Sequence, residues 1–143
     1  CIGACNYDAI SNTNGSALDD LNCKMAEYAK AVVDGRPCFH ISIVNQVSPY
    51  CDCHGENDTA IIPDVGMFAS FDPVALDQAC ADACNAAPVI PGSLLDDRLH
   101  GHDHQDHHDH FTDMHPTTNW KSCLDHAEKL GIGTKEYELV KID

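Results

Sequence analysis

The chain has 143 residues, 43% of them hydrophobic, which is long enough for one domain with its own core and no disulfide staples. Its 23 acidic residues outnumber 8 basic ones, and the formal net charge of −15 disfavours nucleic acid and anionic membranes as partners. The chain has no apolar run of about 18 residues, so we expect no membrane-spanning helix.

Hydrophobic spacing predicts an α/β or α+β protein, a single layered domain with a central, mostly buried sheet flanked by helices. Asp72 and Asn119 precede helical patterns and are expected as N-caps. The composition of residues 87–118 predicts an irregular stretch. The expected elements are a helix over 16–34, a strand over 39–47, a strand or pair of short strands over 60–70, helices over 72–86 and 119–131, and a closing strand over 137–142.

Nine cysteines at mixed spacings do not fit a secreted disulfide scaffold, which is normally smaller and evenly paired. They indicate a reducing, cytoplasmic protein in which some thiols bind metal and others are buried. The chain opens on Cys rather than Met, which indicates a fragment or a processed product. Cys80 and Cys84 share a helical face and are expected as core residues against a sheet, with joint metal binding as the alternative. The remaining cysteines are expected as buried thiols or exposed bystanders, and His40 is expected as a core histidine; these cysteines are Cys23, Cys38 and Cys123.

The segment CDCH is the best local candidate for a metal site. Side chains two apart in an extended segment point the same way, so Cys51 and Cys53 can reach one metal. With His54 as a third ligand, this set favours zinc, iron or an iron–sulfur cluster. The alternative is a structural loop in which both thiols are simply buried.

A second candidate is the His/Asp tract HGHDHQDHHDH over residues 100–110. Imidazoles bind zinc and nickel, and the carboxylates between them add negative charge. The alternative is a solvated insertion with incidental metal affinity. The histidines expected to bind metal here are His102, His104, His107, His108 and His110.

Cys1 and Cys5 form a C-x3-C pair, which matches the last two cysteines of a bacterial ferredoxin run. Beyond them, the chain resembles the iron–sulfur centre proteins grouped as the domain of unknown function numbered 362. The likeness covers nearly the whole chain except the His/Asp tract. It rests on KMAEYAKAVV, CDCHGENDTAIIPDVGMFASFDPVALDQA and HPTTNWKSCLDHAEKLGIGTKEYELVKI.

The resemblance implies that residues 1–15 are the remnant of a ferredoxin-like cysteine module. Residues 16–143 would then be the C-terminal α/β domain, with the His-rich insertion at 100–110. It also implies a [4Fe–4S] cluster in the full-length protein, to which Cys1 and Cys5 contribute. Such a cluster needs four ligands, so these two cysteines alone do not suffice.

These observations favour an iron–sulfur or metal-binding protein in electron transfer or cluster-dependent redox chemistry, with a redox protein or metal ions as partners. The alternative is a zinc- or nickel-binding or storage module that uses CDCH and the His/Asp tract. Whether the protein is an enzyme stays open, because the sequence has no nucleophile elbow, phosphate loop or dinucleotide fingerprint.

Overall fold

The structure is a computed structural model that describes residues 17–51, 55, 57–100 and 109–142. Five helices and two strands in these ranges confirm the predicted α+β class. None of these helices is long and apolar enough to cross a membrane. The elements are α1 (Ala17–Val33), β1 (His40–Val44), β2 (Gly66–Ser70), α2 (Pro73–Ala86), α3 (Leu94–His100), α4 (His110–Met114) and α5 (Trp120–Lys129).

The two strands form an antiparallel sheet that the described helices cover on one face only. Ser42 pairs with Phe68 on the inner face, which packs against α2. The next pair, Ile43 and Met67, lies on the outer face and is 65% and 70% exposed. The expectation of a mostly buried sheet is therefore wrong for the outer face. An apolar run predicts burial on both faces, but no helix in the described ranges covers this one.

In the part of the chain that the structure describes, the core consists of two clusters that meet at α2. One lies between the sheet, α2, α3 and α4, and includes the fully buried Leu95 and Ile62. The other packs Ala26 of α1 against Leu124 of α5. Because α2 contributes Cys84 to the first cluster and Val74 to the second, it is the central helix of the domain.

The residues that precede α2 and α5 differ in whether their side chains cap the helix. As predicted, Asp72 caps α2, and its Oδ1 accepts hydrogen bonds from the amides of Val74 at 2.8 Å and Ala75 at 3.0 Å. Asn119 does precede α5, but its side chain makes no capping bond. It donates instead to Asp19 Oδ1 at 2.8 Å and so connects α5 to α1. Asn119 is therefore the N-cap residue of α5 as predicted, but its side chain contacts α1 and makes no capping bond.

Two stretches differ from the sequence prediction. Residues 137–142 were expected as a closing strand but form none, because β propensity needs a neighbouring strand to pair with. Leu139 and Val140 in this segment are exposed. Within the stretch expected to be irregular, short helices form at α3 and α4, where Leu95 and Met114 enter the core.

Candidate metal-ligand loop and the surrounding thiols

The loop that contains CDCH begins after residues 44–47 and ends before residues 61–65, and these two segments are hydrogen-bonded to each other. The amide of Val65 donates to Val44 O at 2.9 Å, and that of Ile61 donates to Val47 O at 2.8 Å. Gln46 has a φ of 48° in the first segment, and its amide donates to Asp64 Oδ1 at 2.8 Å. Because both segments are held by backbone bonds, the sheet sets the position of the loop.

Asn57 closes the part of the loop nearest these segments. Its Nδ2 donates to Ser48 Oγ at 3.1 Å and to Tyr50 O at 3.2 Å, and its Oδ1 accepts from the Tyr50 amide at 3.3 Å. Cys51 follows directly and is exposed. The thiol therefore lies at the end of a closed turn, where an ion in solution can reach it.

His115, which directly follows α4, supports the same turn. Its Nε2 lies 2.7 Å from Pro49 O, and its ring centroid lies 5.6 Å from that of Tyr50. Sequence reasoning missed this residue, since no motif connects positions 66 residues apart. His115 therefore acts as a brace for the loop.

The other predicted ligands of this region lie outside the described residues. These are Cys53 and His54 in the loop, and Cys1 and Cys5 at the start of the chain. The structure therefore positions Cys51 alone from the predicted cysteine ligand set.

Five further free cysteines are described, and all are less accessible than Cys51. Burial raises the pKa of the thiols of Cys84 and Cys123. Burial also raises the pKa of Cys80, although a hydrogen bond with the Ser42 hydroxyl opposes it. A raised pKa keeps a thiol protonated at neutral pH, and the thiolate is the form that binds metal. Cys80 and Cys84 are thus core thiols against the sheet, as predicted.

Ionisable groups also gather on the inner face of the sheet. His40 is half-buried, and its Nε2 is buried without a hydrogen-bond partner in the described part of the chain. Desolvation by surrounding protein raises the pKa of Asp77, although its side chain stays partly exposed, and nearby His40 lowers it. Among the described residues, no three His, Cys, Asp or Glu side chains are placed to hold a metal ion.

The two ends of the His/Asp tract differ in environment, while residues 101–108 lie outside the described ranges. His100 is exposed, with its Nε2 3.2 Å from Asp96 Oδ1. His110 is only 6% exposed, and its Nε2 lies 2.9 Å from Ala87 O. His110 therefore holds α4 against the end of α2, a position that the low-complexity pattern did not predict.

Asp109, the last carboxylate of the tract, connects α4 to the start of α5. Its Oδ1 accepts from the Phe111 and Thr112 amides and caps α4, and its Oδ2 accepts from Trp120 Nε1 at 3.0 Å. Lys121 Nζ lies 3.4 Å away. The sequence signal for this role was an Asp directly before a short helical turn, which the repeated His/Asp composition concealed.

A cavity of about 170 Å³ lies beneath the loop. Its wall is mostly apolar, and it is smaller than a typical cofactor pocket. It does not by itself indicate a bound organic cofactor. Its lining includes Val47, Pro49, Ile62, Phe111, Met114 and His115.

Comparison with known proteins identifies the family. The model of the family described as Domain of unknown function (DUF362) matches residues 3–82, more than half of the chain, and the chain belongs to this family. The match includes the first two segments that carried the resemblance, and the third, residues 115–142, lies beyond it. No curated protein and no solved structure shows a significant match to this chain.

Proposed function

We propose that this protein binds a metal centre through the CDCH loop, foremost an iron–sulfur cluster in electron transfer or cluster-dependent redox chemistry. Cys51 carries the proposal, because its thiol is exposed at the end of a braced turn while the other five described cysteines are half-buried or buried. Cys53 and His54 follow it in the sequence and are the proposed partner ligands.

A complete [4Fe–4S] cluster requires four ligands, more than this loop alone supplies. Cys1 and Cys5 have the spacing of a ferredoxin pair, and we assign them to a cluster that further cysteines complete in the full-length protein. The net charge of −15 suits a basic redox protein as the partner. A reducing compartment such as the cytoplasm would keep the ligand thiols free.

Anaerobic reconstitution of the full-length protein with ferrous iron and sulfide tests the proposal. The wild type should gain bound iron, sulfide and broad visible absorbance. Cys51→Ser and Cys53→Ser should each lose the iron, sulfide and absorbance of the centre at the loop, whereas Cys38→Ser, which changes a half-buried thiol outside the loop, should not. Absence of bound iron in the wild type, or equal binding by all four proteins, would contradict the proposal.

The second candidate function is zinc or nickel binding or storage. Exposed His100 at the end of α3 supports it, since this residue leads directly into the tract. The proposed ligands are Cys51, Cys53 and His54 together with the tract histidines His102, His104, His107 and His108; His110 is bonded to Ala87 O.

Metal analysis after equilibration with zinc or nickel separates the two candidates. The second candidate would be favoured if the protein binds stoichiometric zinc or nickel without sulfide, and if deletion of residues 101–108 removes that metal. Imidazole protonation should release these ions as the pH falls through the ordinary histidine range.

A further inference from the structure

Helices α1 and α5 pack side by side and run in the same direction. Near their starts, Asn119 Nδ2 donates a hydrogen bond to Asp19 Oδ1 at 2.8 Å. Near their ends, Lys30 Nζ donates to Leu130 O at 2.7 Å. Each bond joins residues 100 positions apart in the sequence, so the two helices keep one register along their contact.

Cys23 and Cys123 follow the same register. Directly before them, Asn22 Nδ2 donates to Ser122 Oγ at 2.9 Å. On each helix the cysteine lies four residues after the first of the two contacts above and seven before the last, so it shares their face. Burial, Asp77 and Cys23, in that order, raise the pKa of the Cys123 thiol. The two thiols therefore lie at the same height on facing sides of the helix pair.

Small side chains allow the helices to approach closely beside the cysteines. Ala26 follows Cys23 by three residues, Ala127 follows Cys123 by four, and both alanines are buried in the cluster between the helices. A disulfide needs α-carbons about 4.4–6.8 Å apart, and facing residues reach this range when helix axes lie about 8–10 Å apart. Both thiols are free and half-buried, so a small oxidant can reach them.

We propose that Cys23 and Cys123 are a redox-sensitive pair that forms a disulfide between α1 and α5 on reaction with a low-molecular-mass disulfide such as glutathione disulfide. The Cys23 thiolate attacks one sulfur of glutathione disulfide, forms a mixed disulfide and releases one glutathione thiolate. The Cys123 thiolate then attacks the Cys23 sulfur and releases the second. Two protein thiols are oxidised, one glutathione disulfide is reduced to two glutathione molecules, and the two thiol protons pass to these products.

The order of the two steps follows from the surroundings of Cys123. Its raised pKa keeps it protonated at neutral pH, so it is the poorer nucleophile toward a dilute oxidant. Held beside the mixed disulfide, it attacks at a high effective concentration. The same raised pKa makes Cys123 a poor leaving group, so the disulfide should be reduced slowly once it has formed.

The disulfide would fix α1 to the rest of the domain. In the described ranges α1 packs mainly against α5, so hydrogen bonds and one small cluster hold it in the reduced protein. A bond between residues 100 positions apart removes much of the freedom of the unfolded chain and stabilises the oxidised protein. The pair lies outside the CDCH loop, and the inference does not depend on the proposed metal centre.

Equilibration of the protein in glutathione buffers of increasing oxidised fraction tests the proposal. After alkylation and Asp-N digestion, Cys23 is the one cysteine in peptide 20–33 and Cys123 the one in peptide 113–124. Non-reducing mass spectrometry should find these peptides joined, and the Tm should rise by about 5 °C or more. Cys23→Ser should abolish both changes, whereas Cys38→Ser, which changes a half-buried thiol outside the two helices, should abolish neither.

A second variant detects the intermediate. Cys123→Ser should trap Cys23 as its mixed disulfide with glutathione, and the Tm of each variant in reducing buffer shows that it is folded. The proposal would be overturned if both thiols stayed free in a buffer that converts exposed Cys51 to a mixed disulfide. Equal joining of peptide 113–124 to several other cysteine peptides, or an unchanged rise in Tm for Cys23→Ser, would overturn it as well.

Discussion

His115 Nε2 donates a hydrogen bond to the carbonyl oxygen of Pro49 at 2.7 Å, across 66 residues of sequence. His115 follows α4, and Pro49 lies two residues before the exposed thiol of Cys51. Through this bond, the segment that follows α4 fixes the position of the candidate ligand loop.

Replacement of His115 by Ala should loosen this loop. We expect the free energy of unfolding to fall by about 0.5–1.5 kcal/mol, the net value of one hydrogen bond, and alkylation of Cys51 to accelerate. Peptide mass spectrometry after timed alkylation measures the rate. His100→Ala removes an exposed imidazole and is the control. Equal Cys51 rates in both variants would mean that His115 does not brace the loop.

The described thiols should differ in their reactivity. Burial raises the pKa of Cys84 and Cys123, so at mildly alkaline pH we expect alkylation of Cys51 to be at least about tenfold faster than that of either. The same assay in denaturant should remove the difference, because unfolding exposes every thiol. Comparable rates in the folded protein would show that the buried cysteines open readily to solvent.

Asp109→Asn should destabilise the domain by about 1–2 kcal/mol at neutral pH, since it weakens the α4 cap and the contacts to Trp120 and Lys121. Burial alone would raise the pKa of Asp109, but hydrogen bonds from Trp120 and Thr112 and the charge of Lys121 hold this pKa below its ordinary value. The ionised carboxylate therefore stabilises the fold above its unfolded pKa, and this stabilisation is lost as the pH falls through the lower folded pKa.

Denaturant titrations across acidic pH measure the Asp109 effect. The gap between wild type and Asp109→Asn should be constant near neutral pH and narrow below about pH 4. Asp97→Asn, at an exposed position in the first turn of α3, should show little change at any pH. If the stability difference between wild type and Asp109→Asn did not depend on pH, the charge of Asp109 would contribute nothing to the stability of the fold.

Gly133 leaves room for the carboxylate of Asp72, which bonds the Thr134 amide at 2.9 Å. A Cβ on residue 133 would lie 1.9 Å from Asp72 Oδ1, so Gly133→Ala must displace the α2 cap or the C-terminal segment. We expect a loss of about 1–3 kcal/mol in thermal or denaturant unfolding. Gly55→Ala meets nothing within 4 Å and should be nearly neutral. A neutral Gly133→Ala would show that the cap moves freely.

Much of the secondary structure could be predicted from local sequence patterns. The helix expected over 16–34 was found as Ala17–Val33, and Asp72 caps α2 as its position before Pro73 predicted. The pairing of Cys80 and Cys84 on the inward side of a helix also followed from their spacing. These features depend on residues within a few positions of one another, so the sequence contains the relevant contacts.

The features that the sequence did not predict depended on distant residues. Residues 137–142 have strand-like composition but no paired neighbour, and Asn119 precedes α5 as predicted but gives its side chain to Asp19 on another helix. His100 and His110 belong to one tract, yet one is exposed and the other is bonded to Ala87. Composition cannot distinguish them, because burial depends on which elements pack together.

By itself, the sequence determined the class of the domain, the helix periods and which side chains are chemically able to bind metal. Only the tertiary structure decided which thiol faces solvent, which face of the sheet is covered and where His115 lies. The physical reason is that accessibility and hydrogen bonding are set by segments brought together from far apart in the chain, whereas local propensity reports only on neighbours.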